Sequence, residues 1–344
     1  MSTSIRRLGT ALIGCALAAA VGLPAAALAQ EPKVESGPRL DFPAGLATDG
    51  VSVFVANSRN NTVDKIDLAG HSIQLLAGVL FKEGTADGTG AAAMFSSPGG
   101  LALVGENLYV SDTNNSTIRQ IKISSGTVTT VAGSPNIPGT DDGKGSAAHF
   151  NLPTQMAPDP NGGRIFLTDS NNSTIRLIQI PDFVVKTIAG QAQSDGKADG
   201  PPTKSQFNRP RGIATDGKNV YVSDTGNNQI RKIDLSNMTT STFAGTGEEG
   251  DKDGAATEAQ FNNPGAMATD GTNLYVMDAD NHAVRKIELA NGTVSKVTLV
   301  NGHIGSGCAL SKDGKILYFS DTTENSVQQV DTSNGNVAAV YPTQ

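Results

Sequence analysis

The residues of this sequence best suited to chemistry come as a set. An Asp, a run of amides and an Arg stand in "YVSDTNNSTIRQI", Tyr109 to Ile121, and return as "FLTDSNNSTIRLI", "YVSDTGNNQIRKI" and "YVMDADNHAVRKI". Such a set suits a ring of ligand contacts, a catalytic constellation or a structural corner. In the structural reading Asp112, Asp169, Asp224, Asp278 and Asp321 cap their turns, accepting backbone N–H bonds two or three residues on. Arg119, Arg176, Arg231 and Arg285 then tie sheets together. Near-identical copies favour this reading, because an active site rarely repeats around a ring. An Arg on a packed strand face needs a carboxylate. Pairing each Arg with the Asp of the next copy (Arg119 with Asp169, Arg176 with Asp224, Arg231 with Asp278, Arg285 with Asp321) closes the ring on the neutral pair Gln328 and Asn57. Same-copy pairing instead sets Asp321 against Gln328 and Asn57 against Asp64. Inter-copy pairing is the expectation.

The remaining reactive groups are sparse. His149, His282 and His303 map to one face and His71 to the other; three His with a water would suit zinc, but no mutual spacing makes these converge. "TDDG" at Asp141 and "DKDG" at Asp251 faintly resemble calcium loops, without the spaced oxygen ligands or the late Glu. No cofactor is expected, with calcium or zinc as the alternatives. Cys308 aligns with Leu46, Leu101, Ile213 and Met267 and reads as core. There is no G-x-S-x-G elbow and no phosphate-binding glycine loop.

The elements that carry these groups repeat. Taking the motif Asp as marker, Asn57, Asp112, Asp169, Asp224, Asp278 and Asp321 are equivalent, at intervals of 55, 57, 55, 54 and 43 residues. Each copy reads as four short strands of alternating period joined by Asp-Gly and Asn-Gly turns. Six such units predict an all-β, six-bladed β-propeller of four-stranded antiparallel blades, over about 43–78, 98–133, 153–190, 210–245, 264–300 and 301–344. Gly45, Gly100, Gly212, Ala266 and Gly307 are small where the innermost strands crowd the axis, and Gln155 departs from them. Four insertions join consecutive blades on one face. Each carries Asp-Gly, then Phe, then Pro at constant spacing, so Phe95, Phe150, Phe207 and Phe261 are expected to anchor them, each after a short helical turn. Where the copies stop agreeing, at the channel mouth, Thr154, Gln155, Arg211 and His303 are the candidate recognition residues.

The pattern in "PGGLALVGENLYVSDTNNSTIRQI" and "PRGIATDGKNVYVSDTGNNQIRKI" resembles the NHL repeat, from about Phe42 to Gln344. The resemblance implies a propeller. For function it is broad, covering binding scaffolds, sensor domains, RNA-binding domains and a metal-dependent lyase.

The start of the chain reads as an export signal, residues 1–29, with Arg6 and Arg7 before an apolar run and small residues at Ala27 and Ala29. A lipoprotein box at Cys15 ("LIGC") is the alternative. The formal charge is −7, and the signal carries two cations and no anion, so its removal makes the balance more acidic. That speaks against nucleic acid and anionic membranes as partners. Cleavage would leave Cys308 the only thiol and the core alone to hold the fold. No transmembrane segment is expected in the mature chain, which would be periplasmic or secreted. The expected function is a non-catalytic scaffold for a protein, peptide or glycan bound at the insertion face and channel mouth. The alternative is a metal-assisted lyase or hydrolase in the channel.

Overall fold

The computed structural model describes residues 40–341; the signal reading and Cys15 lie outside the described residues. Six antiparallel sheets form six blades, each built from its own four consecutive strands. Blade 2 shows the pattern, with strands Pro98–Val104, Asn107–Asp112, Thr117–Lys122 and Thr127–Ala132. The period-two alternation of its sequence serves both faces of the sheet. Leu108, Val110 and Ile121 pack toward blade 1, while Tyr109 and Ile118 pack toward blade 3. A blade buried on both faces needs consecutive apolar residues in its middle strands, which Leu108, Tyr109 and Val110 supply.

The six first strands, Pro43–Thr48, Pro98–Val104, Pro153–Pro158, Ile213–Thr215, Pro264–Thr269 and Ile304–Leu310, neighbour one another in a closed ring about the axis. Blade 6 meets blade 1 by packing, without exchanging a strand: Ala309, Tyr318, Val327 and Val340 lie against Leu40, Leu46, Val53 and Val55. The Phe42 amide also donates to the Asn325 side chain at 2.8 Å across this seam. Backbones touch near the axis. A Cβ on Gly307 would stand 2.0 Å from the Ala44 carbonyl oxygen, and one on Gly212 2.0 Å from that of Gly265.

Each insertion folds over the outer edge of the blade it precedes. Gly88–Thr89 and Gly143–Lys144 add a fifth strand to blades 2 and 3, and single bridges at Gly200 and Gly254 do the same for blades 4 and 5. The edge amides that would otherwise invite another chain are thereby covered along the first residues of each of these fourth strands, at the end away from the insertion face. One 3₁₀ turn follows in blades 2 and 3, at Gly90–Ala92 and Gly145–Ala147.

Candidate functional site

The Asp–amide–Arg set is a clamp within one blade. In blade 2 the Arg119 guanidinium donates to Asp112 Oδ2 at 2.7 Å, to Asp87 Oδ1 at 2.7 Å, and to the carbonyls of Met94 and Ala86 at 2.9 Å each. Asp87, Ala86 and Met94 all belong to the insertion, and the insertion's Phe95 ring lies 5.1 Å from the guanidinium carbon. The Asn115 side-chain amide completes the set, donating to Asp112 Oδ2 and to the Gly84 carbonyl at 2.8 Å each. Arg176, Arg231 and Arg285 repeat these contacts with Asp169 and Asp142, Asp224 and Asp199, and Asp278 and Asp253. Phe150, Phe207 and Phe261 are buried against them, as Phe95 is against Arg119.

The expected inter-blade pairing is therefore wrong, and the ladder explains why. Arg119 pairs in register with Val110, and Asp112 stands two residues along on the same sheet face. That is a diagonal neighbour well within reach of a long side chain. The expected turn-capping also fails in these four blades, where Asp112 Oδ1 accepts the Ser96 amide at 2.7 Å and Oδ2 accepts from Asn115 and Arg119. Only Asp321 caps its turn, accepting the Thr323 and Glu324 amides at 2.9 and 3.1 Å.

The two incomplete blades act as internal controls. No such insertion precedes blade 6, and Gln328 there gives Asp321 a single 3.1 Å hydrogen bond. In blade 1 the roles are exchanged, with Asn57 donating to a buried Asp64 at 2.8 Å. Arg is present in the four blades that an insertion precedes and is missing from blade 6, which none precedes. Contact between blades falls to the neighbouring hydroxyls: Ser111 donates to the Thr154 carbonyl and Thr113 to that of Pro153 at 2.8 Å. The triplet "SDT" thus splits its work, with Ser and Thr joining the next blade and Asp holding its own insertion.

Burial pushes the Asp112 and Asp169 carboxyls up to about 6 against the pull of their arginines, and Asp224 and Asp278 move in the same direction. Asp87 goes the other way. Partial burial opposes its ionisation, but the Thr130 amide and hydroxyl and the Arg119 guanidinium outweigh it.

At the axis the proposed recognition residues divide. Thr168 is a hub: its hydroxyl lies 2.9 Å from that of Thr154, accepts the Gln155 amide at 3.1 Å and donates to the Arg211 carbonyl at 2.7 Å. The Gln155 side chain crosses the axis and donates to the Ser306 carbonyl of the opposite blade. It is a bolt across the channel. The Arg211 side chain is exposed, and His303, also exposed, joins none of these bonds. His149 Nδ1 lies 3.1 Å from Asp141 and His282 Nδ1 2.8 Å from the Gly302 carbonyl. Among the described residues no three His, Cys, Asp or Glu side chains gather as a metal site.

Beyond the bolt, on the face opposite the insertions, the axis opens into a cavity of about 660 Å³. One side chain from each blade lines it at the same register: Leu46, Leu101, Met156, Ile213, Met267 and Cys308. Sequence reading placed Cys308 in this ring but did not see a cavity, since packing of aligned residues about an axis is not encoded in their spacing. The insertion face carries exposed apolar residues instead: Phe81 is 76% exposed and Ile137 55%. Phe81 holds a left-handed backbone, φ 60°, where the next insertions place Asn136 and Gln193. Aromatic residues pay strain in that conformation.

Comparison with known proteins agrees with this architecture. The family model of the NHL repeat matches residues 207–233. NHL repeat-containing protein 2 of Homo sapiens is 26% identical over 287 residues, 74% of this chain and 40% of that protein, so the chain spans two fifths of its relative's length. Among solved structures, one described as a nidogen/laminin complex superposes with a TM-score of 0.59 at 17% identity, over 83% of this chain and 90% of that one. An auxiliary nutrient binding protein from Bacteroides ovatus gives 0.61 at 14%, over 87% and 70%. At these identities the structures share the fold.

Proposed function

The chain is a β-propeller built of NHL repeats, and on that premise we propose that it is an exported, non-catalytic binding scaffold. Its partner is a protein, peptide or glycan that docks on the insertion face. One observation carries the reading: the four insertions are locked to their blades by buried clamps, yet they hold Phe81 and Ile137 out in solvent. A surface fixed in advance loses little conformational freedom on binding. Large apolar groups at its outer rim provide the contact area that a partner would cover. The titratable groups of the clamps are engaged with one another, which suits support of a surface rather than turnover. The described relatives that bind a nutrient or assemble with another protein are consistent with this use of the fold.

The test places a photo-crosslinking amino acid at position 81, at position 137, and at position 51 on the opposite face, where Val51 is 64% exposed. In extracts of the native envelope, positions 81 and 137 should capture the same partner and position 51 should not. Equal capture at all three positions, or none at 81 and 137, would overturn the assignment.

A further inference from the structure

The cavity on the face away from the insertions is a second site, independent of the docking face. We propose that it binds a neutral, largely apolar small molecule bearing one or a few hydroxyl or carbonyl groups. Four observations lead there. First, the cavity is closed at its inner end, by the Gln155 side chain reaching the Ser306 carbonyl and by inner-strand backbones in contact at Gly45, Gly100 and Gly307. A ligand enters from one side and stops. Second, its volume of about 660 Å³ falls within the range of roughly 300–1,000 Å³ of small-molecule pockets. Two turns of α-helix, about 10–12 Å across and about 11 Å long, already exceed it, so a protein element is too large.

Third, the ring of six lining side chains contains no charged residue, and two of the six are the adaptable Met156 and Met267. Of the three charged residues that line the cavity, two are committed elsewhere, and the third, Lys312, stands at the rim in the turn after the first strand of blade 6. Asp159 is buried and bound to Arg164 Nε at 2.6 Å, and Asp49 accepts the Val51 and Ser52 amides of its own turn at 2.9 and 2.6 Å. A charged ligand would find no counter-ion at depth and would lose its hydration. Fourth, the wall offers hydrogen bonds from the backbone. The amides of Asp49, Asp159, Asp216, Asp270 and Ser311 donate to their second strands. Antiparallel alternation therefore turns the backbone groups one residue earlier, at Thr48, Pro158, Thr215, Thr269 and Leu310, toward the axis. Those groups suit uncharged polar substituents on an apolar body.

The experiment uses N-phenyl-1-naphthylamine, a neutral apolar probe whose emission rises in apolar surroundings. Titration should show one probe per chain. Leu103→Trp and Leu310→Trp, on half-buried wall positions from two different blades, each fill the entrance and should weaken binding about tenfold or more. Circular dichroism shows which variants are folded, and having two keeps the test open if one is not. Ile137→Ser on the insertion face should leave the titration unchanged. Weakening by Ile137→Ser, indifference to both Trp substitutions, or no saturable binding would each refute the site, and none of these results bears on partner capture at position 81.

Discussion

Arg176→Gln gives blade 3 the pairing that blade 6 uses naturally, and its cost can be worked from the contacts. Arg176 donates to Asp169 at 2.8 Å, to Asp142 at 3.0 Å, and to the His149 and Asp141 carbonyls at 2.9 Å each. Gln328 makes one 3.1 Å bond to Asp321, so Gln at 176 recovers one interaction of about 1 kcal/mol. Removing one member of a buried ion pair costs about 3–5 kcal/mol. The second ion pair adds little, because the Asp142 carboxylate is half exposed and screened. The lost cation over Phe150 adds about 0.5–2 kcal/mol. The net loss is then about 2.5–6 kcal/mol, to be set against the roughly 5–15 kcal/mol that holds a domain together. Urea denaturation followed by circular dichroism measures it as a lower midpoint at unchanged slope. Because the clamp holds an insertion, trypsin should also cut faster at the exposed Lys144 within it. A loss below about 1 kcal/mol with unchanged cleavage at Lys144 would refute the clamp.

Other consequences are equally direct. Burial pushes the Asp64 carboxyl from 3.8 up to about 6, opposed by bonds from Asn57 and Thr62. The folded chain therefore holds a proton between about pH 4 and 6 that the unfolded chain releases, and stability from this residue falls as pH rises through that window. Asp64→Asn should raise stability by about 2–3 kcal/mol at pH 8 and leave it unchanged at pH 4, measured by urea midpoints; a pH-independent effect would contradict this. Gly307→Ala drives a Cβ to 2.0 Å from the Ala44 carbonyl oxygen and should cost about 3 kcal/mol or more, lowering the thermal midpoint. A midpoint equal to the parent's would show that the blade 6 to blade 1 seam is looser than described. Burial pushes the Cys308 thiol up to about 12, so iodoacetamide at pH 8 should label it about a thousandfold more slowly than a free thiol until urea unfolds the chain.

The fold was legible because one supersecondary unit is written six times, and repetition turns weak strand signals into a strong architectural one. What escaped was the partner of the Arg. The constant spacing from Asp87 to Phe95 to Pro98, and its copies, is visible in the sequence, but by itself it points only to an aromatic anchor. The Asp of that spacing supplies the second carboxylate. The missing signal was covariation inside the chain: blades 1 and 6 lack the Asp-Gly and Phe of an insertion, and they also carry Asp64 and Gln328 in place of Arg. The recognition residues were harder still. Gln155 stood out correctly as a break in symmetry, but that it reaches a carbonyl on the opposite blade depends on the ring's diameter, which no local pattern records. The cavity beneath it is likewise a product of closure.

A pair of double-mutant cycles tests most directly whether the motif is a clamp within each blade. Arg176→Met is combined with Asp169→Asn in one cycle and with Asp224→Asn in the other, each read by urea denaturation. Within-blade clamping predicts a coupling of about 1–3 kcal/mol between Arg176 and Asp169, and additivity within about 0.5 kcal/mol for Arg176 and Asp224. The reverse pattern, coupling to Asp224 and additivity with Asp169, would contradict it.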